Sequence, residues 1–573
     1  MNIIAKDKHE VFIFLVFLAA FLIRIVYVFQ VLEFPLTEYS VRSQTFDQYG
    51  FDNNALFISQ GNWLGDGEAF EKEPLYSYFL ALIYRIFGYS HFIVYIIQAL
   101  LTSLGVILIF KITSHLFNRS VGYIASIILA FYSISIFYDA LLLRASLVTF
   151  LNILLCYFLI KAYKDNSRLL YFISGVILGI SMLTRHNMLY PFIAAFILLL
   201  PPCRAGLNLP YRVGSKNIKN VLIFTLGGLL VLLPVIARNY IVSGYKNIGI
   251  SKEVNAFWVG NTHVSSGVDV DWTSQYHDLV QRSEGDARKM AYLFVNEIKK
   301  HPLEYLKLYG RKTWMFFNGY EAPSNTNYYL YREEFKTILR VPLFNFQLIC
   351  AFGVLGLLLS LFGQKRPHIA YIFLVVLSIS VILFHIQSRF RLPAVPFFII
   401  FCSYAIYFIF DKIKKKAFMK SAVTIALLLF FYISIKPDLT YAGFRAKENK
   451  IRPNDRANLA VAYVDSYSKN PQNLKRALRQ CDLAIKDARR FYIAYRIKGY
   501  IYFLKRKFSD SIYEYKKAII YKNSDPYLYN ELAGVYYEQH SFDKAYVYIK
   551  RALHFLPGNR VFEDNLKLMS RKI

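Results

Sequence analysis

HFIVYIIQALLTSLGVILIFKIT, residues 91–113, carries one full charge, Lys111, and no proline. A helix needs about 20 mostly apolar residues to cross the hydrocarbon core of a bilayer, and this stretch supplies them. Ten others do the same, at 11–31, 121–138, 145–163, 170–184, 188–202, 220–241, 343–363, 369–386, 393–411 and 419–436. The stretches 170–184 and 188–202 are short enough to be tilted or re-entrant. The first is too long for the apolar core of a signal peptide and lacks a small-residue cleavage site, so it is expected to stay as an anchor. The whole chain, 573 residues at 55% hydrophobic and 18% charged, lacks the balance of a soluble protein.

The net charge of +30 raises the question of nucleic acid, but the basic residues sit in short loops between apolar stretches. Lys6 and Lys8, Lys111 and Arg119, Lys161, Lys164 and Arg168, Arg204, Arg212, Lys216 and Lys219, Lys365 and Arg366, and the run Lys412 to Lys420 fall on one side. That is the positive-inside pattern, which makes this side cytoplasmic and excludes a nucleic-acid reading. The opposite face receives loop 32–75, the turns near Asp139, Arg185 and Arg389, and loop 242–341. An odd number of spans sends the C-terminal part to that outer face too. The five cysteines form no CxxC or Cys/His cluster, so neither a disulfide framework nor a zinc site is expected.

Charges at outer span ends have no orientation role, and ionisable groups at a membrane edge are functional candidates by default. Asp47, Lys72, Asp139, Arg185, Arg389 and Arg391 all reach this one face. The first outer loop reads FDQYGFDNNA at 46–55, GNW at 61–63 and EKEPLYSYFL at 71–80. Further on come Gln98, Tyr138-Asp139, LTRHN at 183–187, NAFWVGN at 255–261 and RFRLP at 389–393.

In these residues and their order the sequence resembles the C-superfold membrane glycosyltransferases, in particular the protein O-mannosyltransferase and aminoarabinose-transferase group (glycosyltransferase family 39-like). The resemblance covers roughly residues 10–415. It implies transfer of a sugar, hexosyl or pentosyl, from a polyprenyl-phosphate donor to a protein, lipid or glycan acceptor, with inversion at the anomeric carbon. By family position Asp47 is the base and Lys72 contacts the phosphate, although Glu73 stands where the family has the first proline of a Lys-Pro-Pro-Leu-Tyr-like segment. Asp139 is the second catalytic carboxylate, and Arg185, Arg389 and Arg391 join Lys72 as donor-phosphate ligands, since guanidinium groups grip phosphate oxygens in pairs. No cofactor beyond the lipid-linked donor, and no metal, is required.

Each assignment has a plainer alternative. Asp47 is also placed to cap a helix over 48–60, and Asp52 reads better as a capping or solvated residue. Asp139 and Arg144 are spaced to pair with each other. Lys72 has Glu68 and Glu71 within reach, Arg389 and Arg391 suit anionic headgroups, and Arg24 is expected to snorkel to the outer headgroups. Loop 242–341 reads as a cap carrying an amphipathic helix at 286–300, followed by an aromatic segment at 309–320. Glu321 has no assigned role.

Beyond residue 450 a 34-residue period emerges: Tyr495, Gly499, Tyr502, Ser511, Tyr515 and Ala518 recur as Tyr529, Ala533, Tyr536, Ala545, Ile549 and Ala552. That is the period of tetratricopeptide repeats, with a degenerate unit upstream at Ala477, Cys481 and Ala484. Such a stack serves a peptide or protein partner, or acts only as a spacer. The expected architecture is mainly α: a polytopic transmembrane bundle of about 11 spans over 1–437, a linker 438–450, and an extracytoplasmic repeat domain 451–573. The N-terminus is expected in the cytoplasm. Rival readings are a polysaccharide polymerase or ligase using diphosphate-linked donors, and a non-enzymatic transporter or assembly scaffold.

Overall fold

The computed structural model describes residues 2–65, 67–185, 216–244, 255–267, 273–284, 286–363, 366–437 and 450–572. The expected span 188–202 and nearly all of the expected linker lie outside these residues, as does Cys203; the other four cysteines are buried and free. The chain divides into two compact units, one drawn from 1–32, 44–328 and 336–447, the other from 33–43, 329–335 and 448–573. Regular structure among the described residues is helical. In lipid a helix satisfies its own backbone, as a bilayer demands.

Five helices of the first unit are long and apolar enough to cross a membrane: Lys8–Leu32, His91–Leu116, Ala145–Asp165, Ile218–Val242 and Ser388–Lys414. Six shorter apolar helices join them: Leu75–Phe87, Arg119–Ala130, Arg168–Thr184, Phe346–Leu361, His368–Ile382 and Phe418–Ser434. Leu75–Phe87 is absent from the sequence reading because its 13 residues are too few for a span. Large apolar side chains such as Phe14, Phe29, Leu226, Leu230, Phe430 and Ile433 face outward, a surface suited to lipid tails rather than water.

The stretch expected as one span over 121–138 is broken into Arg119–Ala130 and Ser133–Asp139. At the break the backbone finds other partners: Ser133 N donates to Phe344 O (3.1 Å), and Phe344 N donates to Phe131 O (3.1 Å). Arg24 completes the repair. Its guanidinium donates to Ala130 O (2.9 Å), to Leu129 O (3.5 Å) and to Asp139 Oδ2 (2.7 Å). The expected reach of Arg24 toward headgroups is therefore corrected, for the side chain is wholly buried and spends its charge on a helix end and a carboxylate.

Close helix pairs depend on residues without side chains. A Cβ on Gly175 would lie 1.9 Å from Phe224 O, and one on Gly356 would lie 1.9 Å from Phe401 O. Gly356→Leu is accordingly expected to force Phe346–Leu361 away from Val395–Lys414. We expect a loss of stability of about 1–3 kcal/mol, as overpacking commonly costs, read as a lower melting temperature of the purified protein, against little change for Gly310→Leu, where a Cβ meets open space.

The second unit holds seven helices from Pro453–Asp465 to Arg560–Ser570 among its described residues. The repeat positions form its core, with Tyr495, Tyr515, Ala518, Tyr529, Ala533, Tyr536, Ala545, Ile549 and Ala552 buried together. Gly499 is needed small, since a Cβ there would come within 2.9 Å of the Tyr515 ring. This unit is larger than the sequence division, because residues 33–43 and 329–335 belong to it. Glu334 accepts from Arg456 (3.1 Å) and Gln480 (2.8 Å), Glu38 pairs with Lys469 (2.9 Å), and the Phe34 and Phe335 rings stack at 3.8 Å.

Candidate active site

Asp47 is the first residue of helix Asp47–Ser59, and the capping position falls to Phe46, which makes no side-chain cap bond. An acidic residue in a first helical turn is favoured by the helix dipole, but the carboxylate is engaged elsewhere. Lys72 Nζ donates to its Oδ1 at 2.7 Å, and Arg389 Nη1 donates to its Oδ2. The two cations come from positions 25 and 342 residues away along the chain. The Asp47 side chain remains 21% exposed, so the cluster is open on one side. Burial pushes this carboxyl up, but the Arg389 and Lys72 charges and hydrogen bonds prevail and hold it well below the usual carboxylate range.

Arg185 ends helix Arg168–Thr184, and its guanidinium lies over the Phe390 ring at 3.8 Å. Arg389 lies 4.8 Å from the same ring and also donates to Gln387 (3.0 Å). One phenyl group thus gathers two guanidinium groups through its negative face. The cluster comprises Asp47, Lys72, Arg389 and Arg185.

The remaining two candidates stand apart from it. Arg391 is 1% exposed and donates to Phe316 O, Asn318 O, Tyr320 O and the Glu321 carboxylate (2.7 Å). Positions two apart on the short helix Ser388–Arg391 face nearly opposite ways. Arg391 therefore closes the end of helix Pro302–Phe317 while Arg389 reaches Asp47, and Glu321 acquires a partner. Asp139 accepts from Arg24 and from Thr102 (2.7 Å) deep in the bundle. The expected Asp139–Arg144 pairing is corrected: Arg144 pairs with Glu73.

Residues 71–237 match the family model described as dolichyl-phosphate-mannose-protein mannosyltransferase. That stretch resembles a protein mannosyltransferase. No curated protein matches in sequence. Among solved structures, the Archaeoglobus fulgidus oligosaccharyltransferase tethered to an acceptor peptide shares 14% identity and a TM-score of 0.44, over 84% of this chain and 59% of that one. The same archaeal enzyme, AglB, with an inhibitory peptide and dolichol-phosphate gives 14% and 0.43, over 81% and 60%. The APC/C hetero-tetramer Cut9-Hcn1 gives 12% and 0.22, over 94% and 99%. The chain thus spans about three-fifths of the archaeal enzyme's length.

Several residues that shape the cluster were given no functional role by the sequence reading. Glu73, the departure from the mannosyltransferase-like motif, is 1% exposed and binds Arg144, whose guanidinium also donates to Thr184 O (3.4 Å). It ties the Lys72 loop to the residue before Arg185. Its signal was a carboxylate in the place of an apolar proline, since such a charge, once buried, needs a cationic partner. Tyr76 donates to Gln98 (2.8 Å), and Gln98 in turn donates to Asp139 O and Leu141 O (2.9 Å each).

Asp52, expected to be capping or solvated, is instead buried and accepts from Tyr84 (2.6 Å) and Tyr89 (2.7 Å), with His91 at 3.2 Å. Burial raises this carboxyl, and the hydrogen bonds from His91, Tyr84 and Tyr89 lower it further than burial lifts it. The helix that carries Asp47 is pinned here. In helix Pro302–Phe317, Lys312 is buried against Asn261 Oδ1 (2.7 Å) and Phe384 O, and burial, helped by Arg311, brings its ammonium down to about 7.

Proposed function

We propose that this chain is a glycosyltransferase that moves a sugar from a polyprenyl-phosphate carrier to a hydroxyl of a protein, lipid or glycan acceptor at the extracytoplasmic membrane face. The observation that carries the proposal is the Asp47 carboxylate held between Lys72 and Arg389, with Arg185 joined through Phe390. A carboxylate held by two cations, with a third beside them, is the equipment for taking a proton while receiving an anion. The description of the matched family, with dolichyl-phosphate mannose in its name, favours a lipid monophosphate over a diphosphate.

In the proposed reaction the acceptor oxygen attacks the anomeric carbon, its proton passes to Asp47, and the bond from that carbon to the phosphate oxygen breaks. The polyprenyl phosphate leaves with the electron pair, and Lys72, Arg389 and Arg185 stabilise its growing charge. One displacement inverts the anomeric centre. Asp139 and Arg391, already satisfied by Arg24 and Glu321, serve as supports in this scheme rather than as a second carboxylate and a phosphate ligand.

The extracytoplasmic orientation rests on the loop charges and on the second unit. Residues 33–43, 329–335 and 450–572 form part of one compact unit, and a bilayer does not divide a compact unit. The repeats thus share their compact unit with residues 33–43, and a protein partner or acceptor would meet them on the extracytoplasmic side.

Ion pairing in the free enzyme makes Asp47 a weak base, and the donor is expected to change that. A phosphate that claims Lys72 and Arg389 removes the interactions that lower the Asp47 pKa and leaves the burial that raises it. The acid limb of kcat should therefore fall at higher pH than the acid limb of kcat/KM, since the first reports the bound complex and the second the free enzyme. Coincident limbs, measured with a saturating polyprenyl-phosphate sugar, would count against the exchange. Lys72→Gln should weaken donor use by about 10-fold or more, an effect of 1.4 kcal/mol upward, when kcat/KM is compared with wild type.

A further inference from the structure

We propose that His263, Glu297 and His301 form a binding site for one divalent transition-metal ion, of which zinc is the best chemical fit, in the outer loop of the membrane unit. Their ligand atoms all lie within 4.8 Å of one another. Glu297 and His301 sit four residues apart at the corner between helices Ala287–Lys300 and Pro302–Phe317, a spacing that turns both toward one side. His263 comes from the loop after the short helix Asn255–Val259, and its ring stacks on that of His301 at 4.4 Å.

The donor set selects the class of ion. Two imidazoles and one carboxylate suit zinc or cobalt, whereas magnesium and calcium prefer oxygen alone. Gln275 supplies a supporting shell: its amide nitrogen lies 2.7 Å from His263 Nδ1 and donates to Glu297 Oε2 at 3.1 Å. Its own Oε1 is buried with no hydrogen-bond partner, and turning the amide would let that oxygen accept from His263 Nδ1–H and orient the ring for a metal, leaving the fourth position to water. Lys300, 3.4 Å from the other Glu297 oxygen, leaves Oε2 to the site.

Such an ion would brace the cap against the phosphate cluster. Two residues before His263, Asn261 donates to Leu383 O (2.8 Å), and Gly267 O accepts from Ile386 N (2.9 Å). That strand of contacts runs into Gln387 and Arg389. The site itself does not depend on the proposed reaction.

The test uses the full-length protein in lipid nanodiscs, stripped by a chelator and titrated with Zn2+ or Co2+ alone. One equivalent should bind, Co2+ should show the intense visible bands of a four-coordinate site, and the melting temperature should rise with metal. Glu297→Gln, which keeps the shape and a contact to Gln275, should weaken binding at least 10-fold, and His263→Ala with His301→Ala should abolish it. Gln275→Ala should weaken it by about 10–100-fold, as supporting-shell changes do. Failure of the wild type to take up an equivalent overturns the proposal. So does equal uptake by the folded Glu297→Gln protein, which would mark the metal as surface-bound.

Discussion

Asp47→Asn is expected to lower sugar transfer by roughly 10²–10⁴-fold, the range general-base groups supply, while the protein still folds and inserts. The amide keeps the size of the side chain but gives up its charge and its affinity for a proton. Lys72 and Arg389 would lose a partner, yet both border an opening and can turn to solvent or phosphate. A melting temperature close to wild type alongside lost turnover is the expected pair of readings. Transfer at the wild-type rate would remove Asp47 from the chemistry.

Asp139→Ala should fail differently, through stability. Removing one member of a buried ion pair typically costs about 3–5 kcal/mol because the other charge is left unpaired. Here that charge is Arg24, wholly enclosed and also closing the end of helix Arg119–Ala130. A sharp fall in folded yield and melting temperature is expected, and Arg24→Met with Asp139→Leu should regain much of it. A folded, inactive Asp139→Ala protein would instead return Asp139 to the catalytic list.

The comparison of these two carboxylates shows what the sequence could and could not reveal. Asp139 ends one apolar stretch and Asp47 follows another, and linear position treats them alike. Partners from remote parts of the chain separate them: Arg24 is 115 residues from Asp139, and Arg389 is 342 residues from Asp47. Spans and repeats were legible because both are written as local periodicity, in apolar runs near 20 residues and in a 34-residue recurrence. The split between Arg389 and Arg391 follows from helix geometry that RFRLP does not disclose. Likewise the inclusion of 33–43 and 329–335 in the repeat unit rests on contacts such as Glu334 with Arg456, which no period announces.

The central claim is that Lys72 and Arg389 hold either Asp47 or the donor phosphate, and binding of polyprenyl monophosphate to purified variants tests it most directly. Lys72→Gln with Arg389→Gln should lose affinity by about 10-fold or more, whereas Asp47→Asn, by freeing both cations, should bind as tightly as wild type or tighter while its sugar transfer is largely lost. Unchanged affinity in the double variant, or weakened binding in Asp47→Asn with the fold intact, would contradict the account.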